Sequence, residues 1–409
     1  MKKISNFFKQ LKQWIKQLMK DSPPVVKFIP LGVIVVILVV TFTTCGRRTD
    51  NTPEEPSPTT IEEMPSEEPS KEPEKEDEPE PGGDEETEID EEPEQEPEPP
   101  KPVNPLTGLP VDAEISSARP LAIMVNNHRD AMPQVGISKA DIIYEILVEG
   151  GITRMMALYQ DVSGVGVIGS IRSSRHYYVN IAQGYDAVYI FAGGSPQAYS
   201  ALSSRNITRL DGTDSTWSHT EIFYRDQQRA QTMRFEHTLV ISSELVEQWL
   251  TTYGYRLDHE DDFKCNLSFV EDGTPAFGNQ ALDFSVKFSS SKSTSFLYDP
   301  GDGLYYLSQY DKEYIDGNDG TQVSATNVLI LQTSVSPIPG DGEGRLEIAT
   351  TGSGKGYFIC GGRYTEINWS RADNSSQFSY TLANGSNLVL GQGKTYICIV
   401  PSSMAVELS

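Results

Sequence analysis

The stretch that decides the fold runs from residue 119 to residue 199 and reads RPLAIMVNNHRDAMPQVGISKADIIYEILVEGGITRMMALYQDVSGVGVIGSIRSSRHYYVNIAQGYDAVYIFAGGSPQAY. Its apolar runs are rich in β-branched and aromatic residues, which is typical of buried strands. Residues 121–125, 155–160 and 186–192 are predicted strands, residues 140–147 a strand or a short helix, and residues 177–184 a helix. This alternation predicts a mixed sheet with helices on one face.

Downstream of this stretch the pattern changes to short strands separated by turn signals. Strands are predicted at residues 284–288, 294–298, 303–309, 327–333, 345–349, 356–360, 363–368 and 395–400, with turns such as Asp-Pro-Gly and Asn-Gly between them. We therefore predict an α/β lobe over residues 104–252, a connector over 253–275 and a β-rich lobe over 276–409. The connector holds apolar and aromatic residues, so the two lobes are expected to pack closely.

The amino-terminal quarter has a different composition. Residues 1–27 combine seven lysines with apolar residues at helical spacing, which predicts a basic amphipathic segment on the cytoplasmic membrane face. Residues 28–45 form the apolar membrane anchor, either an uncleaved transmembrane helix or a lipoprotein signal that ends at Cys45. Residues 46–103 are rich in proline and glutamate, with 22 acidic residues between positions 51 and 100, and predict a disordered tether. The charge asymmetry predicts that the bulk of the chain is extracytoplasmic.

Composition excludes several classes of partner. The chain of 409 residues has a formal net charge of −25 and no long basic stripe after the tether, which argues against nucleic acid. Four cysteines without a CxxC pair and five scattered histidines predict no metal site, and no cofactor motif is present. Cys360 and Cys398 both lie in predicted strands, and the sequence leaves a disulfide between them open.

A cluster of positive charge follows the apolar run at residues 165–171. Arg172, Arg175 and His176 lie within five residues, with Ser173 between them. Planar guanidinium groups suit bidentate binding of phosphate or carboxylate, and a helix starting near residue 177 would add backbone donors. The cluster therefore predicts an anion site. The alternative is that these arginines pair with acidic residues of the domain itself.

Further candidates lie at strand ends. Asn126 and Asn127 follow the first buried strand, where polar side chains either line a cleft or cap the loop. Glu145 and Glu149 precede a Gly-Gly turn, and Arg154 opens the next strand. These five residues are predicted to contribute to ligand binding. A structural ion pair between Glu145 and Arg154 is the competing interpretation.

The sequence also resembles a known family. The blocks NPLTGLP, RPLAIMVNNH, ADIIYEILVEGGITR, IGSIRSSRHYY and AGGSPQAY occur in the same order as in the YerB-like family of bacterial lipoproteins, and the resemblance extends from residue 104 to about residue 401. It implies an α+β layered sandwich with two sheet layers and one helical layer. It also implies a membrane-anchored envelope protein, and it makes Cys45 a candidate for lipidation.

Two functional classes fit these observations. The first is a tethered, non-catalytic envelope protein that binds an anionic ligand or an envelope protein. The second is an enzyme acting on a phosphorylated envelope polymer or a lipid-linked precursor, with Glu145, Glu149 or His176 moving a proton. Because no catalytic triad, HExxH, Walker or EF-hand motif occurs, binding is the preferred interpretation. The membrane is the partner expected in either case.

Overall fold

A computed structural model of the protein describes residues 101–214, 222–404 and 406–408, all of which belong to one structural unit. The predicted basic segment, the membrane anchor with Cys45 and nearly all of the acidic tether lie outside these residues. Among the residues described, no helix has the length and apolar character needed to cross a membrane.

The described chain contains four α-helices: α1 (Ala113–Ser117), α2 (His176–Gly184), α3 (Pro196–Ser204) and α4 (Ser243–Thr252). Short 3-10 helices span Arg129–Ala131, Ile137–Lys139, Glu149–Gly151, Arg229–Gln231 and Phe235–His237. The strands are β1 (Leu121–Asn126), β2 (Ile142–Leu147), β3 (Thr153–Tyr159), β4 (Val167–Gly169), β5 (Val188–Phe191), β6 (Arg209–Asp211), β7 (Phe223–Arg225), β8 (Leu239–Ser242), β9 (Phe269–Val270), β10 (Asn279–Gln280), β11 (Asp283–Lys287), β12 (Ser293–Asp299), β13 (Leu304–Gln309), β14 (Lys312–Glu313), β15 (Ser324–Ala325), β16 (Asn327–Thr333), β17 (Val335–Pro337), β18 (Leu346–Ile348), β19 (Gly352–Cys360), β20 (Arg363–Arg371), β21 (Ser379–Leu382), β22 (Leu390–Gly391), β23 (Thr395–Pro401) and β24 (Glu407–Leu408).

One mixed sheet of eleven strands runs through both predicted lobes. Its order is β10-β20-β19-β16-β23-β2-β3-β1-β5-β6, with β21 paired to β20. The halves join where β2 and β23 run parallel, pairing residues 142–146 with residues 395–399. Because this junction is in the middle of the sheet, the two predicted lobes share one hydrogen-bonded layer.

The centre of this sheet is covered on both faces. Every residue of β1, β2 and β3 is buried, as expected for strands packed between two layers. On one face lies a six-stranded sheet (β14-β13-β12-β11-β24, with β15 on β13), where Phe296 contacts Tyr396 with ring centroids 5.5 Å apart. On the other face lies α2, and Tyr185 at its end hydrogen-bonds Tyr144 of β2 at 2.9 Å between hydroxyl oxygens. The predicted α+β layered sandwich is confirmed.

Most predicted elements appear close to their predicted positions. The strand predicted at residues 327–333 coincides with β16, and the segment left open between strand and short helix is the strand β2. Ser242 caps α4 by accepting a hydrogen bond from the backbone N–H of Leu245. Strand β21 was not predicted, and neither were other strands of two to four residues such as β9, β14 and β24.

The thiols of Cys360 and Cys398 are free and buried. Cys360 lies on β19 opposite Asn327, and Cys398 lies on β23 opposite Ile330, so β16 runs between them. Two inter-strand spacings of about 4.8 Å, combined with an offset of three residues along β16, separate their Cα atoms by roughly 14 Å. That distance exceeds the ~7 Å limit for a disulfide, so these two cysteines do not cross-link in this fold.

Candidate functional site

Several predicted site residues lie along one edge of the central sheet. Strands β1, β5 and β6 run parallel, so their carboxyl ends meet at this edge. Strand β3 is antiparallel to β1 and begins there, which places Arg154 opposite Asn126. In open α/β sheets, ligands usually bind outside the carboxyl ends of the strands. This edge is therefore a suitable position for a binding site.

A loop at residues 170–175 crosses the same edge. The backbone N–H of Arg172 donates to the carbonyl of Met124 in β1 at 3.0 Å, and its carbonyl accepts from the N–H of Ala192 after β5 at 3.1 Å. The N–H of Ser174 donates to the carbonyl of Gly193 at 2.8 Å. These bonds hold the loop between the ends of β1 and β5, so the predicted arginines are fixed beside Arg154.

Two of these arginines converge on Glu149. Arg175 donates to both oxygens of the Glu149 carboxylate, with its Nε 3.0 Å from Oε2. The Nη2 atom of Arg154 lies 3.5 Å from Oε1 of the same carboxylate. Although partial burial acts to raise it, the bonds from Arg175 and the charge of Arg154 hold the pKa of Glu149 below its usual value. Burial, together with the charge of Arg175, lowers the pKa of Arg154 to about 10.

Arg172 completes the group, and among the residues that the structure describes no carboxylate lies within ion-pair distance of it. Its Nη1 donates to the backbone carbonyl of Glu236 at 3.3 Å, a long bond. Burial lowers its pKa, the charge of Glu236 acts in the opposite direction, and the charge of Arg175 lowers it further. Three guanidinium groups and the single carboxylate of Glu149 leave a net charge of +2 within the cluster. We call Glu149, Arg154, Arg172 and Arg175 the arginine cluster.

Ser173 and His176 flank the arginine cluster in different ways. The carbonyl of Ser173 accepts a hydrogen bond of 3.1 Å from Nη1 of Arg154, so this residue orients an arginine through its backbone. His176 opens α2, and its Nε2 lies 3.2 Å from Oε1 of Glu347. The imidazole therefore pairs with a carboxylate from the carboxyl-terminal half of the chain.

The side chains of Asn126 and Asn127 lie on opposite faces of the sheet. The Oδ1 of Asn126 accepts from the N–H of His128 at 3.1 Å, which is the predicted loop cap, and its Nδ2 lies 2.9 Å from Nδ1 of His237. The Nδ2 of Asn127 donates to Oε1 of Glu145 and to Oγ1 of Thr153, both at 2.9 Å. Asn126 is thus on the face of the arginine cluster, and Asn127 is on the face covered by the second sheet.

Glu145 is fully buried on that second face. Its carboxylate accepts hydrogen bonds from Thr153, Thr294 and Tyr396 at 2.6–2.7 Å, and Nζ of Lys292 lies 3.2 Å away. Glu145 pairs with Met155 in the β2–β3 register, one position from Arg154. Neighbouring residues in a strand point to opposite faces, so the Glu145–Arg154 ion pair does not form. Glu145 is separated from the arginine cluster by the sheet.

The sequence carried no usable signal for Lys292. It lies in the run SSSKSTS, which is typical of a solvated turn, yet its side chain is 1 % exposed. Its Nζ donates to Oε1 of Gln309 at 2.6 Å and lies 4.6 Å from the ring centroid of Tyr310. A buried lysine beside a buried carboxylate can be recognised only after the two sheets are packed together.

A cavity of about 750 Å³ opens near this ion pair. Its wall includes Arg129, Pro133, Gln309, Tyr310 and Lys312. The guanidinium of Arg129 stacks over the Tyr310 ring at 5.0 Å. The residues of the arginine cluster are not among its lining. This cavity is therefore a separate space at the β13–β14 hairpin.

Comparison with known proteins gives consistent matches. Residues 106–256 match the family model described as "Protein of unknown function (DUF3048) N-terminal domain", and residues 284–397 match the corresponding C-terminal domain. The "Putative lipoprotein YerB" of Bacillus subtilis (strain 168) is 31 % identical over 309 residues, which cover 75 % of this chain and 88 % of that protein. The crystal structure of YerB from Bacillus subtilis superposes with a TM-score of 0.64 at 29 % identity, covering 75 % of this chain and 99 % of that one.

Proposed function

The chain belongs to the DUF3048 family, which confirms its resemblance to YerB. From that premise we propose that it is a membrane-anchored extracytoplasmic protein and that it binds an anionic envelope ligand without catalysis. The ligand class is a phosphate- or carboxylate-bearing group, carried by an envelope polymer, lipid or protein. The arginine cluster is the proposed site.

The observation that carries this proposal is the net positive charge of the cluster, which the neighbouring carboxylate of Glu236 reduces without an ion pair in the described chain. Glu149 neutralises one of three guanidinium groups, and Arg172 keeps only a long bond to a backbone carbonyl within the described chain. An incoming anion would gain charge-assisted bonds from Arg172 and from the donors that Glu149 does not use. Arg175 directly precedes α2, so the backbone N–H groups of His176 and Tyr177, which have no acceptor within the helix, lie next to it.

The enzymatic alternative has less support from the same geometry. Glu145 lies on the face of the sheet opposite the arginine cluster. Two arginines hold Glu149 in its ionised form, and His176 pairs with Glu347. An enzyme acting on a phosphorylated polymer or lipid-linked precursor would need a proton-transfer group other than these three. Binding therefore remains the leading proposal.

The location is tested by protease accessibility. Protease added to intact protoplasts should degrade residues 104–409, because the charge asymmetry predicts that they lie outside the membrane. Immunoblotting with an antibody to this region gives the measurement, and a cytoplasmic protein is the control. Full protection of the region would exclude the proposed topology. A Cys45→Ala variant then separates the anchors, since only a lipoprotein would lose its lipid label.

The binding site is tested by Arg172→Lys. Lysine keeps the charge but lacks the planar fork, so we expect binding of inorganic phosphate to weaken by more than about tenfold, the equivalent of losing one charge-assisted hydrogen bond. Isothermal titration calorimetry on the full chain measures the affinity. The melting temperature should stay nearly unchanged, because in the described part of the chain the Arg172 side chain makes only a long bond to a backbone carbonyl.

The matched control is Arg363→Lys, at an exposed arginine on β20. This change should leave phosphate affinity unaltered. If Arg172→Lys and Arg363→Lys bind phosphate as tightly as the parent, the arginine cluster is not the site. If the parent binds neither phosphate nor acetate, the proposed ligand class is wrong.

A further inference from the structure

The fold brings together two histidines that lie 109 positions apart in the sequence. His128 follows β1, Asp130 is in the 3-10 helix after it, and His237 ends the 3-10 helix before β8. One potential ligand atom of each residue lies within 4.8 Å of the others. The two imidazole rings are stacked, with centroids 5.4 Å apart and planes inclined by 11°. The sequence predicted no metal site because spacing along the chain could not reveal this group.

The two segments that carry these residues are held together by Arg229. Its side chain is buried and donates to the carbonyls of His237 at 3.3 Å, Pro133 at 2.6 Å and Ala131 at 2.7 Å. One guanidinium group thus connects the backbone at His237 to the loop that follows Asp130. Asn126 adds a second connection, because its amide contacts both His128 and His237. The backbone of the group is therefore fixed before any ligand arrives.

We propose that His128, Asp130 and His237 bind one divalent transition-metal ion, with Zn²⁺ as the best match. Imidazole nitrogens favour zinc and its neighbours over Mg²⁺ and Ca²⁺, which prefer all-oxygen sites. Two histidines and one carboxylate form a three-ligand set that leaves a coordination position for solvent or another ligand. This inference does not depend on anion binding at the arginine cluster.

Binding requires only a local adjustment. Ligand atoms around tetrahedral zinc are roughly 3.3 Å apart, so side chains now within 4.8 Å must close by about 1–1.5 Å. The side chains of His128 and Asp130 are 39 % and 53 % exposed and are free to turn. The Nδ1 of His128 accepts a hydrogen bond from the N–H of Asp130 and lies 3.8 Å from Oδ2 of the same residue, so this nitrogen exchanges that hydrogen bond for the metal. The Nδ1 of His237 accepts from Nδ2 of Asn126, so its coordination likewise exchanges a hydrogen bond for the metal, while Oδ1 of Asn126 keeps its bond from the N–H of His128.

The experiment is a ZnCl₂ titration of the full chain after EDTA treatment and dialysis, followed by calorimetry. We expect one Zn²⁺ per chain. His128→Gln and Asp130→Asn should each weaken binding by at least about tenfold, because each removes one of three ligands. Both residues are partly exposed, so these variants should keep the parent melting temperature in EDTA. Co²⁺ substitution should give visible absorption without a thiolate charge-transfer band.

The control is His259→Gln, at a histidine that stacks on Phe263 and pairs with Asp186 outside the group. It should bind Zn²⁺ as the parent does. The proposal is overturned if the folded parent takes up no Zn²⁺, or if His128→Gln and Asp130→Asn bind it unchanged. A thiolate band with Co²⁺ would also overturn it, because the metal would then be on a cysteine.

Discussion

Replacing Lys292 by methionine is expected to lower the free energy of unfolding by about 3–5 kcal/mol, the usual cost of breaking a buried ion pair. Lys292 and Glu145 have side chains that are 1 % and 0 % exposed, with 3.2 Å between Nζ and Oε1. The methionine side chain fills similar volume, so the loss reports the uncompensated carboxylate more than a cavity. Denaturant unfolding measures it, and the melting temperature should fall by roughly 2–4 °C per kcal/mol.

A double-mutant cycle separates the pair from the individual side chains. Burial lowers the pKa of Lys292, although the charge of Glu145 acts in the opposite direction, so the pair is desolvated at a cost. Removing both charges in Lys292→Met/Glu145→Gln should therefore recover much of the loss, with a coupling energy of about 0.5–3 kcal/mol. Glutamine keeps an acceptor for the hydroxyls of Thr294 and Tyr396.

Lys287→Met is the matched control, since Lys287 is exposed on the same sheet. It should change stability by no more than about 0.5 kcal/mol. If Lys292→Met costs less than about 1 kcal/mol, the buried pair does not stabilise the contact between the two sheets. A double variant as unstable as the sum of the single variants would show that the two charges do not interact.

The second large effect is expected for Glu149→Ala. The change leaves Arg154 and Arg175 buried without their shared carboxylate. A fully buried pair would lose about 3–5 kcal/mol, and we expect about 3 kcal/mol because the Glu149 side chain is 26 % exposed. Denaturant unfolding without phosphate gives this value. The variant also frees two guanidinium groups for an external anion.

Phosphate should therefore rescue this variant. An anion that binds the vacated position stabilises the folded state by about 2.7 kcal/mol at one hundred times its dissociation constant. We expect the parent to gain less, because Glu149 competes for the same donors. Unfolding is measured in phosphate and in chloride at equal ionic strength. A destabilised variant that phosphate does not rescue would mean that the arginines only stabilise the fold.

Glu347→Ala is the control for this experiment. The Glu347 side chain is 60 % exposed, and its removal takes the carboxylate away from His176 but leaves the arginine cluster intact. A surface pair of this kind contributes about 0–1 kcal/mol, so little stability should be lost. Phosphate should stabilise this variant no more than the parent. Equal rescue of both variants would point to a non-specific salt effect.

Local sequence was sufficient for most of the secondary structure. Strands such as β1 and β16 are short runs of β-branched residues that remain recognisable wherever the chain places them. The helix after Arg175 was harder to predict, because seven of its nine residues are buried and no single apolar face marks it. The arginine cluster was also predictable in part, because Arg172 and Arg175 are close in sequence and Arg154 opens a strand beside a Gly-Gly turn.

The sequence by itself determined the order of elements, the layered class and the residues that carry charge near the strand ends. Only the tertiary structure decided which charges meet. Glu149, not Glu145, pairs with Arg154 because the strand register puts Glu145 on the opposite face. The Lys292–Glu145 pair and the group of His128 with His237 join residues more than one hundred positions apart. Such contacts depend on strand pairing and layer packing, which local propensities do not specify.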